Sequence, residues 1–125
     1  MTINDPETLA EVTALFEAYE QALVTNDVPA LDGFFREAAQ TIRYGARENL
    51  YGYDEIRAFR AARPGQGLER TLERTSITTY GCDLATCSTM FRRDNTPRIG
   101  RQMQTWVRFP EGWRIVAAHV SLMEA

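Results

Sequence analysis

The chain contains no lysine; all 14 of its basic residues are arginine. Without a side-chain amine, imine chemistry through a lysine Schiff base is excluded. Each cation is instead a planar fork suited to carboxylates, and none can act as a general base near neutral pH. Histidine occurs once, as His119, and cysteine twice, as Cys82 and Cys87, with no Cys-x-x-Cys pair. That supply is too thin for a usual zinc site, so neither a metal nor a disulfide is expected, and the thiols are read as free and half-buried. No apolar run approaches the roughly 20 residues of a membrane span. The polar stretch from Met1 to Pro6 lacks the layout of a signal peptide, so the expected location is the cytoplasm and no membrane partner is expected. A net charge of -3 argues against nucleic acid as a partner.

What is present is an ordinary globular composition, 44% hydrophobic and 25% charged over 125 residues. This is enough for one domain, 1–125, with a core that needs no staples. Before Arg70 the chain reads mostly as helix. Asp5-Pro6-Glu7 opens the first helix as cap, first-turn proline and first-turn acid. Leu9, Val12, Leu15, Phe16, Tyr19, Ala22 and Leu23 then recur at helical spacing until Thr25-Asn26-Asp27. A short second helix carries Pro29 in its first turn and runs to about Phe35. A short strand is expected at residues 40–45 and a second short strand or a turn at 48–52. A third helix starts at Asp54, turns Ile56, Phe59 and either Ala62 or Arg63 inward, and ends at Pro64-Gly65. From Thr71 onward the chain reads as four strands, 71–80, 84–92, 99–109 and 113–123, separated by turn residues suited to hairpins. The expected fold is α+β: a curved antiparallel sheet wrapped around N-terminal helices, cone-shaped like a cystatin roll and enclosing a pocket.

Strict alternation in the last strand places Trp113, Ile115 and Ala117 on one face and Val116, Ala118, Val120 and Leu122 on the other. Both faces then read as apolar. One helical layer covers only one of them, so a two-fold homodimer through the free sheet face is expected.

Several side chains could carry chemistry. Arg43 lies within a short strand between Ile42 and Tyr44. If it points inward, its charge needs a partner, and a substrate carboxylate held by two parallel hydrogen bonds would supply one. Alternation alone leaves pocket and solvent both open for it. Tyr19 sits mid-stripe on the first helix. Its hydroxyl is either satisfied locally or opens into a cavity, where a phenol could donate a proton. His119 shares a strand face with Ser121, and Gln102 and Gln104 alternate with Trp106 on another; these four are candidate substrate contacts. No Gly-x-Ser-x-Gly surrounds Ser121, which argues against a hydrolase nucleophile. Arg57, Arg60 and Arg63 repeat at helical spacing and read as an exposed face. Glu73 is the one strand-region acid available as a buried base.

Particular strings resemble a known family. Arg43-Tyr44-Gly45, Glu48-Asn49-Leu50-Tyr51-Gly52, the run Ile56 through Pro64, Thr78-Thr79-Tyr80-Gly81, Ile99-Gly100-Arg101-Gln102, Gln104 through Pro110, and Gly112 through Ser121 are similar to the AtzH/HpxZ-like family. That family belongs to the nuclear-transport-factor-2-like superfamily, which includes ketosteroid isomerase and SnoaL-type cyclases. The resemblance implies a cofactor-independent enzyme of nitrogen catabolism that acts on a small anionic ureido or N-carboxylated acid. The AtzH-like case is decarboxylation of 1,3-dicarboxyurea to allophanate, beside an amidase. It also implies that a first-helix tyrosine and a first-strand arginine are catalytic, and by position these are Tyr19 and Arg43. Two other readings stand beside this one. The first is a SnoaL- or ketosteroid-isomerase-like isomerase or cyclase, which needs a buried acid or a His–Asp pair. The second is a non-catalytic ligand-binding accessory dimer to an amidase.

Overall fold

The computed structural model describes residues 1–124. Helix α1 spans Pro6–Val24. The Asp5 carboxylate accepts from the Thr8 amide at 3.1 Å and the Thr8 hydroxyl at 2.9 Å, and the amide bond in particular holds Asp5 below its ordinary pKa. Val12, Phe16, Tyr19 and Leu23 follow at helical spacing, and all four are buried. Asp27 caps α2 (Val28–Phe34) by accepting from the Ala30 amide at 3.2 Å. Helix α3 covers Tyr53–Ala62 and starts from Gly52, whose φ of 88° suits glycine.

The strands are β1 (Ile42–Tyr44), β2 (Asn49–Tyr51), β3 (Thr71–Tyr80), β4 (Leu84–Arg92), β5 (Ile99–Phe109) and β6 (Gly112–Met123). They form one curved, unclosed sheet in the order β2-β1-β6-β5-β4-β3. The last four strands are consecutive antiparallel neighbours, as the hairpin signals require. Strand β1 returns to lie parallel to β6, with Arg43 opposite Ala118 and Tyr44 opposite His119. The α+β fold expected from the sequence is the fold found. The helices cover the concave face, where Val12, Leu31, Ile56, Trp106 and Ile115 are sealed from solvent.

The last strand departs from strict alternation. Its register with β5 jumps from Thr105 opposite Ala117 to Trp106 opposite Ile115, which leaves Val116 unpaired. This bulge reverses the parity of everything after it. Trp113 and Ile115 before it, and Ala118, Val120 and Leu122 after it, therefore all face the concave side. Ala117 and His119 are turned outward and exposed. The two apolar faces expected from alternation are thus one apolar face and one mixed face.

The cysteines are both free: Cys82 is exposed in the β3–β4 turn and Cys87 is fully buried on β4. The half-buried state expected for both holds for neither. Burial pushes the Cys87 thiol up to about 12, so it stays protonated and unreactive while the protein is folded. Thiol titration with an aromatic disulfide at pH 8 should give one rapid equivalent from Cys82. The second should appear only on denaturation; two rapid equivalents from folded protein would contradict this burial.

Candidate functional site

A cavity of about 450 Å³ lies between the helices and the concave face of the sheet. Helix α1 supplies Tyr19 and Leu23, the β1–β2 hairpin Arg43, Arg47 and Glu48, and α3 Phe59 with Arg63 just beyond its end. The segment before β3 adds Arg70, and the β4–β5 connection adds Arg93 and Arg98. Strands β5 and β6 form the floor with Gln102, Val120 and Leu122. The volume falls within the range usual for small-molecule sites.

Tyr19 and Arg43 therefore open into the same hollow. The ring of Tyr19 packs edge-on against Phe34 and Phe35, at centroid distances of 5.7 and 6.3 Å, which fixes its direction. Arg43 is on the concave face because its register partner Ala118 is. Its Nη1 donates to Glu48 Oε2 at 2.9 Å, and Glu48 Oε1 accepts from the Arg47 amide at 3.1 Å. Gly45 leaves the room for this fold-back, since a Cβ there would collide with the Glu48 carboxylate.

The positive charge of the cavity exceeds what its acids neutralise. Six arginines line it: Arg43, Arg47, Arg63, Arg70, Arg93 and Arg98. Glu48 holds Arg43. Glu20, on α1, holds Arg70 through two bonds, Nη2 to Oε1 at 2.6 Å and Nε to Oε2 at 2.9 Å. Arg70 is 2% exposed, so this is a buried ion pair of the bidentate kind that withstands desolvation. Arg63 and Arg93 have no carboxylate within 4.0 Å among the described residues. Burial first, then the neighbouring charges of Arg60 and Arg43, push Arg63 below the ordinary guanidinium value. Burial first, then Arg70 and Arg63, do the same to Arg93.

Phe91 organises the far end of this cluster. The guanidinium of Arg70 lies 4.5 Å from its ring centroid and that of Arg93 4.8 Å. Both are cation–π contacts within the usual range. Gly100, opposite Phe91 in the β4–β5 ladder, gives the ring its space, because a Cβ at that position would run into it.

The other residues singled out from the sequence divide between the two faces of the sheet. Gln102 lines the cavity, and its Oε1 accepts from Arg70 Nη2 at 3.0 Å. Gln104 is buried on the same face, but its Oε1 accepts from Trp106 Nε1 at 3.1 Å, and it does not line the cavity. His119 and Ser121 lie beyond the β6 bulge on the outer face, in a separate groove with Arg101 and Met103. Tyr44 packs against His119 there, ring centroids 5.8 Å apart. The expectation that these two meet the same ligand as Tyr19 and Arg43 is corrected by that parity change.

The α3 arginines are likewise not one exposed face. Arg57 is exposed, Arg60 is buried on Asp32 at 3.2 Å, and Arg63 faces the cavity. The spacing Ile56, Phe59, Arg63 already follows the inward stripe of α3, so this signal was in the sequence. Arg70, Arg93 and Arg98 carry no such signal, because they sit at strand ends and in loops. Glu73 pairs with Arg92 at 2.7 Å on the surface and lines no part of the cavity. Among the described residues, no group of three or more His, Cys, Asp or Glu side chains could hold a metal ion. No described helix is long and apolar enough to cross a membrane.

A curved α+β frame of this kind is the cystatin-like, or nuclear-transport-factor-2-like, fold. Ketosteroid isomerase-like protein from Erwinia carotovora atroseptica SCRI1043 has this fold, with a TM-score of 0.78 at 18% identity, over 96% of this chain and 99% of that one. Within that class the AtzH-like family model matches residues 1–125, and the chain belongs to this family. A protein of unknown function of the DUF3225 family from Pectobacterium atrosepticum SCRI1043 is 61% identical with a TM-score of 0.96, over 98% of this chain and 95% of that one. A cystatin-like fold protein from Burkholderia xenovorans LB400 is 48% identical with a TM-score of 0.96, over 100% and 98%. No curated protein matches the chain at a significant level.

The fit between Gly100 and Phe91 is open to a direct check. Gly100→Ala should destabilise the protein by about 1–3 kcal/mol in urea denaturation, since a buried ring and not a flexible tip must move. Wild-type stability in this variant would mean that the ring is not confined there.

Proposed function

We propose that this protein is a cytoplasmic, cofactor-independent lyase of nitrogen catabolism that decarboxylates a small N-carboxylated ureido acid, as in the AtzH-like conversion of 1,3-dicarboxyurea to allophanate. The observation that supports this reading is that Tyr19 and Arg43 both line one cavity with surplus positive charge.

The chemistry follows from those groups. An N-carboxylate loses carbon dioxide when its nitrogen gains a proton: the C–N bond breaks, its electron pair stays on nitrogen, and CO2 departs. Tyr19 donates the proton and recovers one from solvent. Arg43, braced by Glu48, orients the reacting carboxylate, and its geometry survives turnover because the Glu48 contact does not depend on the ligand. The arginines hold the carboxylate that remains on the product, which then passes to an amidase-class hydrolase. An isomerase or cyclase reading needs a free acid in the cavity to act as base. Glu48 is engaged by Arg43, Glu20 by Arg70, and Glu73 lies outside, so the observed groups favour the decarboxylase.

We also propose a homodimer through the outer sheet face. With β6's apolar residues gathered on the concave side, this rests on Met103, 57% exposed, and Tyr51, 53% exposed, together with the Met90–Met103–His119 groove.

With 1,3-dicarboxyurea generated in place and allophanate followed, Tyr19→Phe should lower kcat by about a hundredfold or more. Arg43→Ala should lower kcat/KM by a comparable factor. Wild-type turnover in both variants would remove the mechanism. In sedimentation, the wild type should run at twice the mass of one chain and Met103→Asp at the mass of one. A monomeric wild type would remove the dimer.

A further inference from the structure

The arginines of the cavity are unequal in what they still need. Arg43 has Glu48, and Arg70 has Glu20 and the Gln102 carbonyl. Arg47 stands at the exposed rim, and Arg98 donates to the Leu122 carbonyl at 3.2 Å. Arg63 and Arg93 are left without a carboxylate, and the Nε of each, like that of Arg98, is sealed from solvent and without a hydrogen-bond partner. The one side-chain acceptor near Arg63 is Asn26 Oδ1, at a marginal 3.5 Å.

Gln102 adds an independent observation. It is 3% exposed, and its Nε2 has no partner. The orientation of this amide is fixed chemically: an arginine can only donate, so the end facing Arg70 must be the carbonyl and the free end must be the NH2. Buried side-chain donors in native proteins are almost always satisfied. Here four residues with such a donor, Arg63, Arg93, Arg98 and Gln102, line one hollow. They are held in place by neighbours and not by a ligand, Arg93 over the Phe91 ring and Gln102 by Arg70.

Arg63 feels the charges of Arg60, Arg43 and Glu48, and Arg93 those of Arg70, Glu20 and Arg63, so the two belong to one connected cluster.

We infer that Arg93 and Gln102 form a second carboxylate subsite, separate from the Tyr19–Arg43 pair, so that the cavity selects small acids carrying a carboxylate at each end. The inference deepens the proposed reaction and rests on it for the role of that pair. Arg93 and Gln102 act there as specificity-determining contacts, holding the carboxylate that does not react. A monocarboxylate of the same length would leave the donors of this subsite unsatisfied and one half-buried cation unmatched.

The test is calorimetric titration of the whole protein with two stable probes. Glutarate replaces the N–C–N spacer of 1,3-dicarboxyurea with methylenes, and pentanoate replaces one carboxylate of glutarate with a methyl group. Wild-type protein should bind glutarate about tenfold or more tighter than pentanoate. Arg93→Gln should abolish that preference and leave pentanoate binding within about twofold, whereas Arg93→Lys, which keeps the charge, should retain part of it. Gln102→Leu should reduce the preference in the same direction and serves if Arg93→Gln does not fold, as judged by circular dichroism. An equal preference in wild type and Arg93→Gln, or no preference in the wild type, overturns the subsite. The readout needs no turnover: an inert protein with an Arg93-dependent preference sinks the decarboxylase and keeps the subsite, and an active one without that preference does the reverse.

Discussion

Surplus positive charge confined in a small, mostly apolar hollow is the constraint on which the rest of this structure depends. Guanidinium groups brought together out of water repel one another and lose hydration, and both effects disfavour the folded state. The chain manages this with two carboxylates, Glu48 and Glu20, and one aromatic platform, Phe91. It stops short of full neutralisation. What remains is a set of cavity-lining side chains that carry unpartnered donors and surplus positive charge. The absence of lysine is consistent with this design, because a flexible ammonium cannot lie flat on a ring or donate two parallel hydrogen bonds to a carboxylate.

The fold places the charges through a few local decisions. The parallel return of β1 beside β6 sets Arg43 on the concave face. Gly45 lets Glu48 fold back onto it, and Gly100 lets Phe91 lie under Arg70 and Arg93. The bulge at Val116 keeps the cavity floor apolar with Val120 and Leu122, and it sends His119 and Ser121 to the other side. A single unpaired residue thereby separates two sites that uninterrupted alternation would have merged.

The sequence was a good guide to elements and a poorer guide to faces. Helix caps, stripe spacing and turn residues are local, so α1, α3 and the four long strands were legible to within a residue or two. Tyr19 was legible as part of a stripe, and Arg43 as a cation inside a strand. The direction of β6 was hidden, because a bulge depends on pairing with β5 and leaves no mark in β6 alone. Arg70, Arg93 and Arg98 were hidden for a related reason. They come from strand ends and a connection, where no periodicity reports direction, and only the curved sheet brings them into the cavity with Tyr19. Gln104 was read with Gln102 because both alternate on one face, yet Trp106 takes the side chain of the first and the cavity receives the second.

The most direct measurement of the central claim is a crystal structure of the wild-type protein grown in bromide, in which anomalous scattering marks bound anions. The account predicts a bromide inside the cavity within contact of Arg63 or Arg93, with the Arg43–Glu48 and Arg70–Glu20 pairs intact. Arg63 and Arg93 extended into solvent, with the cavity free of bromide, would contradict it.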